Sequence, residues 1–136
     1  MQLKNLVSKK VLVVDDDENI VELFKHILSR ENLTVFVAYD GTEALLKVEN
    51  LKPDIIILDL MLPKQGGFQV LKNLQQNETT KEIPVMIITG KFTDGTTYEF
   101  LKSQPNVKGF YSKPIDIANL VLDIKKVLET ERRNNV

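Results

Sequence analysis

The sequence has no cysteine and no tryptophan, and a single histidine among 136 residues. Without cysteine there can be no disulfide, no thiolate metal site and no cysteine nucleophile, and the composition suits a reducing compartment. One histidine cannot build a zinc or iron centre of several imidazoles. No apolar stretch approaches the roughly 20 residues that cross a bilayer. The start, Met1-Gln2-Leu3-Lys4-Asn5, runs into Ser8-Lys9-Lys10 without the apolar segment of a signal peptide. The expectation is a cytoplasmic protein that contacts no membrane. Charge of one sign is also missing. Eighteen basic against nineteen acidic residues leave a formal charge of -1, with no domain-wide basic signature for nucleic acid. Glycine and proline, at six and five, are too few for a low-complexity chain.

What is present is a set of short apolar runs that do not alternate with polar residues. They are Val11-Leu12-Val13-Val14, Val35-Phe36-Val37-Ala38, Ile55-Ile56-Ile57-Leu58 and Val85-Met86-Ile87-Ile88. Unbroken, β-branched runs of this length read as strands covered on both faces. Val107 to Ser112 is a fifth, weakened by Gly109. Between the runs, apolar residues recur at helical spacing. They are Ile20, Leu23, Phe24, Ile27 and Leu28; Ala44, Leu45 and Val48; Phe68, Leu71 and Leu74; Tyr98, Phe100 and Leu101; and Leu120, Ile124, Val127 and Leu128. Asp17 and Asp116 stand where they cap the first and fifth helices. The fold class is therefore α/β, a three-layer (βα)5 doubly wound parallel sheet. One domain over residues 10–129 is expected, after a leader at 1–9 and before a polar tail at 130–136. In such folds ligands gather at the carboxyl edge of the strands.

That edge collects a distinctive set. The first run ends in Asp15-Asp16-Asp17-Glu18, the third in Asp59, the fourth in Thr89 and the fifth in Lys113-Pro114. Capping explains Asp17, but it does not explain the set. Asp15, Asp16 and Asp59 would repel one another unless a positive charge joined them. Carboxylates with retained waters are the usual magnesium arrangement, and phosphate oxygens complete it. With Lys113 as a point charge and Thr89 as a hydroxyl donor, the set is an apparatus for phosphorylating an aspartate.

In these motifs, from Lys10 to about Leu128, the chain resembles the receiver domain of two-component response regulators. The resemblance implies the flavodoxin-like strand order 2-1-3-4-5. It implies that Asp59, in Ile57-Leu58-Asp59-Leu60-Met61-Leu62-Pro63, is the phosphoacceptor. It makes Asp16 a direct ligand of Mg2+ (or Mn2+), with Asp15 acting largely through water, and adds Asp59 and the backbone carbonyl of Met61 to the ligand set. Thr89 would follow the phosphoryl group, Phe110 would report its movement, and Lys113 would precede a cis peptide bond. The resemblance also implies a partner, a sensor histidine kinase or a histidine phosphotransfer protein. An output protein or a second copy would meet the face made by the fourth helix, fifth strand and fifth helix. No direct nucleic acid binding is expected. Self-phosphorylation and self-dephosphorylation would make it a signalling protein rather than a turnover enzyme. The alternative is a degenerate receiver that acts only as a protein-binding module.

The chain departs from the family pattern in three places. Gly66-Gly67 replaces a common Asp-Gly, which predicts a looser turn and an altered cap before the third helix, with no catalytic group lost. Gly90 replaces a frequent alanine. The fourth helix lacks its usual alanines. Met61 and Lys91, two residues after Asp59 and Thr89, are poor at orienting water, so slow loss of phosphate is expected. Other Asp-phosphate chemistry is unfavoured, because magnesium phosphatases carry a second carboxylate where Met61 stands. Neither a dinucleotide nor a P-loop glycine motif occurs, and a flavin phosphate would be repelled by the first acidic cluster. His26 reads as an edge residue of the first helix, and Arg132-Arg133 as a solvated tail.

Overall fold

A computed structural model describes residues 8–64, 66–90 and 95–134, with side chains through Thr130. Five strands and five helices alternate: β1 (Lys9–Val14), α1 (Glu18–Ser29), β2 (Leu33–Ala38), α2 (Gly41–Leu51), β3 (Ile55–Asp59), α3 (Gly67–Gln75), β4 (Val85–Thr89), α4 (Gly95–Ser103), β5 (Val107–Ser112) and α5 (Ile117–Asn134). All pairings are parallel, and the order is β2-β1-β3-β4-β5. The expected strand order is therefore the one found.

Side chains alternate across the sheet and so divide the core in two. Leu12, Val14, Ile56, Leu58, Val85 and Ile87 face α2, α3 and α4, whose Val48, Leu71 and Leu101 meet them. Val11, Val13, Ile55, Ile57, Met86 and Ile88 face α1 and α5, through Phe24, Leu28, Leu120 and Ile124. Both faces are covered, which is why β3 and β4 are buried along their whole length and read as unbroken apolar runs. The edge strands β2 and β5 are only half-buried.

Local chemistry fixes the helix ends. Asp17 Oδ1 accepts from the amides of Asn19 (2.9 Å) and Ile20 (3.4 Å), capping α1. Asp40 caps α2 by accepting from Glu43 N at 2.8 Å, and the Glu43 carboxylate reaches back past the cap to accept from Tyr39 N at 2.7 Å. Asp116 caps α5 through Asn119 N at 3.1 Å. After Leu128 the apolar stripe of α5 ends, yet the helix continues to Asn134 through the good helix formers Glu131, Arg132 and Arg133.

Three stripes differ from the sequence reading, at Leu23 on α1, Phe68 on α3 and Phe100 on α4, the last 54% exposed. Leu23 is 46% exposed, because the inward face of α1 runs through Val21, Phe24 and Leu28. Phe68 is 42% exposed. With Phe100 it lines a groove of about 520 Å³ between α3 and α4 that contains none of the strand-end residues.

Candidate functional site

The ends of β1, β3, β4 and β5 bring the strand-end residues to one place. Asp15 follows β1 and is held by its own amide, which donates to Ala38 O at 3.1 Å. Its side chain is fully buried, and Oδ1 accepts from Asp17 N at 2.9 Å. Asp59 closes β3, 2% exposed, with Oδ1 accepting from Met61 N at 2.9 Å. Lys113 comes in from the end of β5, where its amide donates to Thr89 O at 2.8 Å and its bond to Pro114 is cis. Its ammonium sits between the two buried carboxylates, 2.9 Å from Asp15 Oδ2 and 3.2 Å from Asp59 Oδ2. Thr89 is buried at the end of β4. Asp16 is exposed and stands over the pair, so that oxygens of Asp15, Asp16 and Asp59 lie within 4.8 Å of one another.

The electrostatics follow from this crowding. Burial raises the Asp15 carboxyl above its ordinary value and the nearby Asp59 charge adds to that, against the lowering effects of the Asp17 amide and Lys113. Burial works against the charge on Lys113, but the close ion pair with Asp15, with the pull of Asp59, outweighs it. The ammonium is held above its ordinary value and stays charged at neutral pH. Three carboxylates against one ammonium leave a formal surplus of two negative charges.

Asp15 Oδ2 meets the ammonium at ion-pair distance but off the angle of a hydrogen bond, so this buried oxygen has no hydrogen-bond partner. An orphaned buried carboxylate oxygen beside two more carboxylates is a hard, all-oxygen donor set. It fits a divalent cation such as magnesium and would not suit a soft metal.

The loop after Asp59 is fixed by a residue whose role the sequence does not announce. A Cβ on Gly67 would fall 2.5 Å from Leu60 Cα and 2.6 Å from Asp59 O, so only glycine fits. Gly67 N donates to Leu60 O at 3.1 Å, and Leu60 N to Ile88 O at 3.0 Å. The Gly-Gly turn is therefore tightly seated at Gly67. The altered cap is found at Gly66, which supplies no side-chain bond to α3. Farther along, Gly41 N donates to Lys64 O at 3.1 Å and ties the loop to the start of α2.

The remaining expected residues are placed as follows. Met61 is 52% exposed beside Asp59. Phe110 lies on the α4 side of β5, edge-on to Tyr98 with ring centroids 5.0 Å apart. Among the described residues a Cβ on Gly90 would meet only Lys113 Cδ, at an ordinary 3.6 Å. Lys91 lies outside the described residues, as do residues 1–7 of the expected leader. His26 is exposed in the last turn of α1, away from the cluster.

A family model for the response regulator receiver domain matches residues 11–125. The chain belongs to the response regulator receiver family. This receiver is 38% identical over 122 residues to the alkaline phosphatase synthesis transcriptional regulatory protein PhoP of Bacillus subtilis, covering 90% of this chain and 49% of that protein. It is 33% identical to response regulator ArlR of Staphylococcus saprophyticus, covering 93% of this chain and 56% of that one. It thus spans about half the length of these curated relatives. Among solved structures, the receiver domain of the Francisella response regulator 1452 superposes with a TM-score of 0.81 at 28% identity, over 91% of this chain and 99% of that one. Among the described residues, no helix is long and apolar enough to cross a membrane.

Proposed function

We propose that residues 10–129 act as a phosphorylatable receiver. In this reading Asp59 takes a phosphoryl group from the phosphohistidine of a sensor histidine kinase or phosphotransfer protein, in a Mg2+-dependent reaction in the cytoplasm. The observation that carries it is the Lys113 ammonium spanning Asp15 Oδ2 and Asp59 Oδ2 at 2.9 and 3.2 Å, with Asp16 completing the acidic cluster. A carboxylate oxygen of Asp59 attacks phosphorus, the P–N bond to the donor imidazole breaks, and the imidazole keeps the electron pair.

Asp15, Asp16, Asp59 and the Met61 carbonyl would hold the cation, which when bound neutralises phosphoryl oxygens. Lys113 stabilises the opposite side of the transferring group, and Thr89 donates its hydroxyl to the phosphoryl product. Exposed His26 is the one histidine of these 136 residues and lies away from the cluster, so the phosphohistidine lies outside them. Thr89 and Phe110 then carry the change to the face of α4, β5 and α5, where an output protein or a second copy docks. Nothing favours the purely protein-binding alternative, since all five chemical residues are retained and assembled.

The test is phosphate uptake from acetyl phosphate in magnesium, read by intact mass. Wild type gains one phosphoryl group and D59N gains none. A phosphorylated D59N protein would refute the assignment.

A further inference from the structure

β5 is an edge strand, paired on one side only, and its ladder with β4 is interrupted between Val85 and Met86, where Lys108 is bulged out of register. Yet this strand must deliver Lys113 to within hydrogen-bond reach of two carboxylates. Gly109 adds to the difficulty, since a glycine inside a strand packs nothing.

Tyr111 resolves both weaknesses. Its ring lies back along the strand over Gly109, where an added Cβ would fall 2.6 Å from the phenol oxygen and 2.7 Å from Cε2. Met86 Cε on β4 lies on the same spot, 2.9 Å from that added atom. The hydroxyl then donates to Asp123 Oδ2 on α5 at 2.5 Å. The residues between these partners form the turn that carries Lys113 and the cap of α5. Lys113 N is tied to β4 through Thr89 O, and Tyr111 ties the same stretch to α5. Tyr111 and Phe110 point to opposite faces of the sheet, so this tie is separate from the Tyr98–Phe110 pair.

We propose that Tyr111, seated over Gly109 and bonded to Asp123, is a positioning residue that fixes the end of β5 so that Lys113 stays between Asp15 and Asp59. This rests on the phosphoryl-transfer reading above. The phenol's ionisation is pushed up by burial and by the bond to Asp123, so the donor keeps its proton across the working range.

The variants are Y111F, which keeps the ring, D123A, which removes the acceptor, and D123N, which retains an acceptor oxygen. Two readouts are taken at 25 °C on folded protein: hydrogen exchange of the Lys113 amide, and the rate constant for phosphorylation by acetyl phosphate in saturating magnesium. Because small displacements of a catalytic group are costly, Y111F and D123A should each slow phosphorylation about five-fold or more with the magnesium dissociation constant unchanged. Both should accelerate Lys113 exchange, and D123N should restore both readouts towards wild type. Combined, Y111F and D123A should cost no more than either alone. A Lys113 amide as protected in Y111F as in wild type overturns the tie. A loosened amide with an unchanged rate overturns its link to the chemistry. If wild type takes up no phosphate, the phosphoryl-transfer reading fails, while the exchange data still decide whether Tyr111 holds Lys113 in place.

Discussion

Asp16 is the member of the acidic cluster that the fold can lose most easily, since it is exposed and no core packing depends on it. Removing it as D16A should have opposite effects with and without magnesium. Without metal, its charge is repelled by Asp15 and Asp59, whose oxygens lie within 4.8 Å. At that separation and the dielectric of water each repulsion is about 0.9 kcal/mol, and the loss of attraction to Lys113, whose ammonium pairs with Asp15 and Asp59, offsets part of the gain. The metal-free variant should then be more stable by about 1 kcal/mol, or roughly 3–5 °C in midpoint for a chain of this size. With magnesium at a hundred times its dissociation constant, wild type should gain about 2.7 kcal/mol, because the cation binds only the folded form. D16A, without the proposed direct ligand, should gain almost nothing. The two stability curves must therefore cross as magnesium is added. Thermal melts at constant ionic strength over a magnesium series follow this directly. An equal magnesium shift in both proteins, or a D16A protein less stable without metal, would refute the assignment of Asp16.

The two adjacent glycines should respond differently to alanine. G67A forces a Cβ against backbone at 2.5 Å and should cost about 1–3 kcal/mol in denaturant melts, whereas G66A, whose Cβ would sit 3.8 Å from Leu62 O, should be near neutral. Equal costs would show that the loop after Asp59 is not seated as described. Tyr111 predicts an alkaline slope. Its folded-state value is raised above the ordinary 10, so the folded chain holds the proton more tightly; stability is unaffected below pH 10 and falls as pH rises through the folded value. Melts between pH 9 and about 11.5 should show wild type losing stability faster than Y111F, and parallel curves would contradict the half-buried, hydrogen-bonded phenol. Finally, M61N beside Asp59, combined with K91E two residues after Thr89, introduces water-orienting groups and should speed loss of radiolabelled phosphate, while G90A, with ordinary contacts among the described residues, should change it little. A double variant no faster than wild type would contradict the slow loss of phosphate expected from Met61 and Lys91.

Much of this was legible in the sequence because burial on both faces leaves a strong mark. Ile55-Ile56-Ile57-Leu58 could only be a covered strand, and Asp59 directly after it had to stand at the sheet edge. The order of the strands was not legible from periodicity, since parallel neighbours share one pattern; it came through family resemblance. Helix faces were read less well. Leu23 and Phe68 fall within one turn of the inward stripe, and hydrophobicity alone does not say on which side of its boundary they lie. The role of Gly67 was hidden because it consists of the absence of an atom beside the Leu60 backbone. Gly109 read as a weakness of β5 for the same reason: the ring that fills its place belongs to Tyr111, two residues on, and its partner Asp123 is on the next helix.

The central claim is that Asp59, among three neighbouring aspartates, carries the phosphoryl group. Borohydride reduces an aspartyl phosphate to homoserine and leaves free carboxylates intact. Wild-type protein should be phosphorylated with acetyl phosphate in magnesium, reduced, digested and sequenced by tandem mass spectrometry. Homoserine is expected at position 59 alone. Homoserine at Asp15 or Asp16, or at no position in protein that has taken up phosphate, would contradict it.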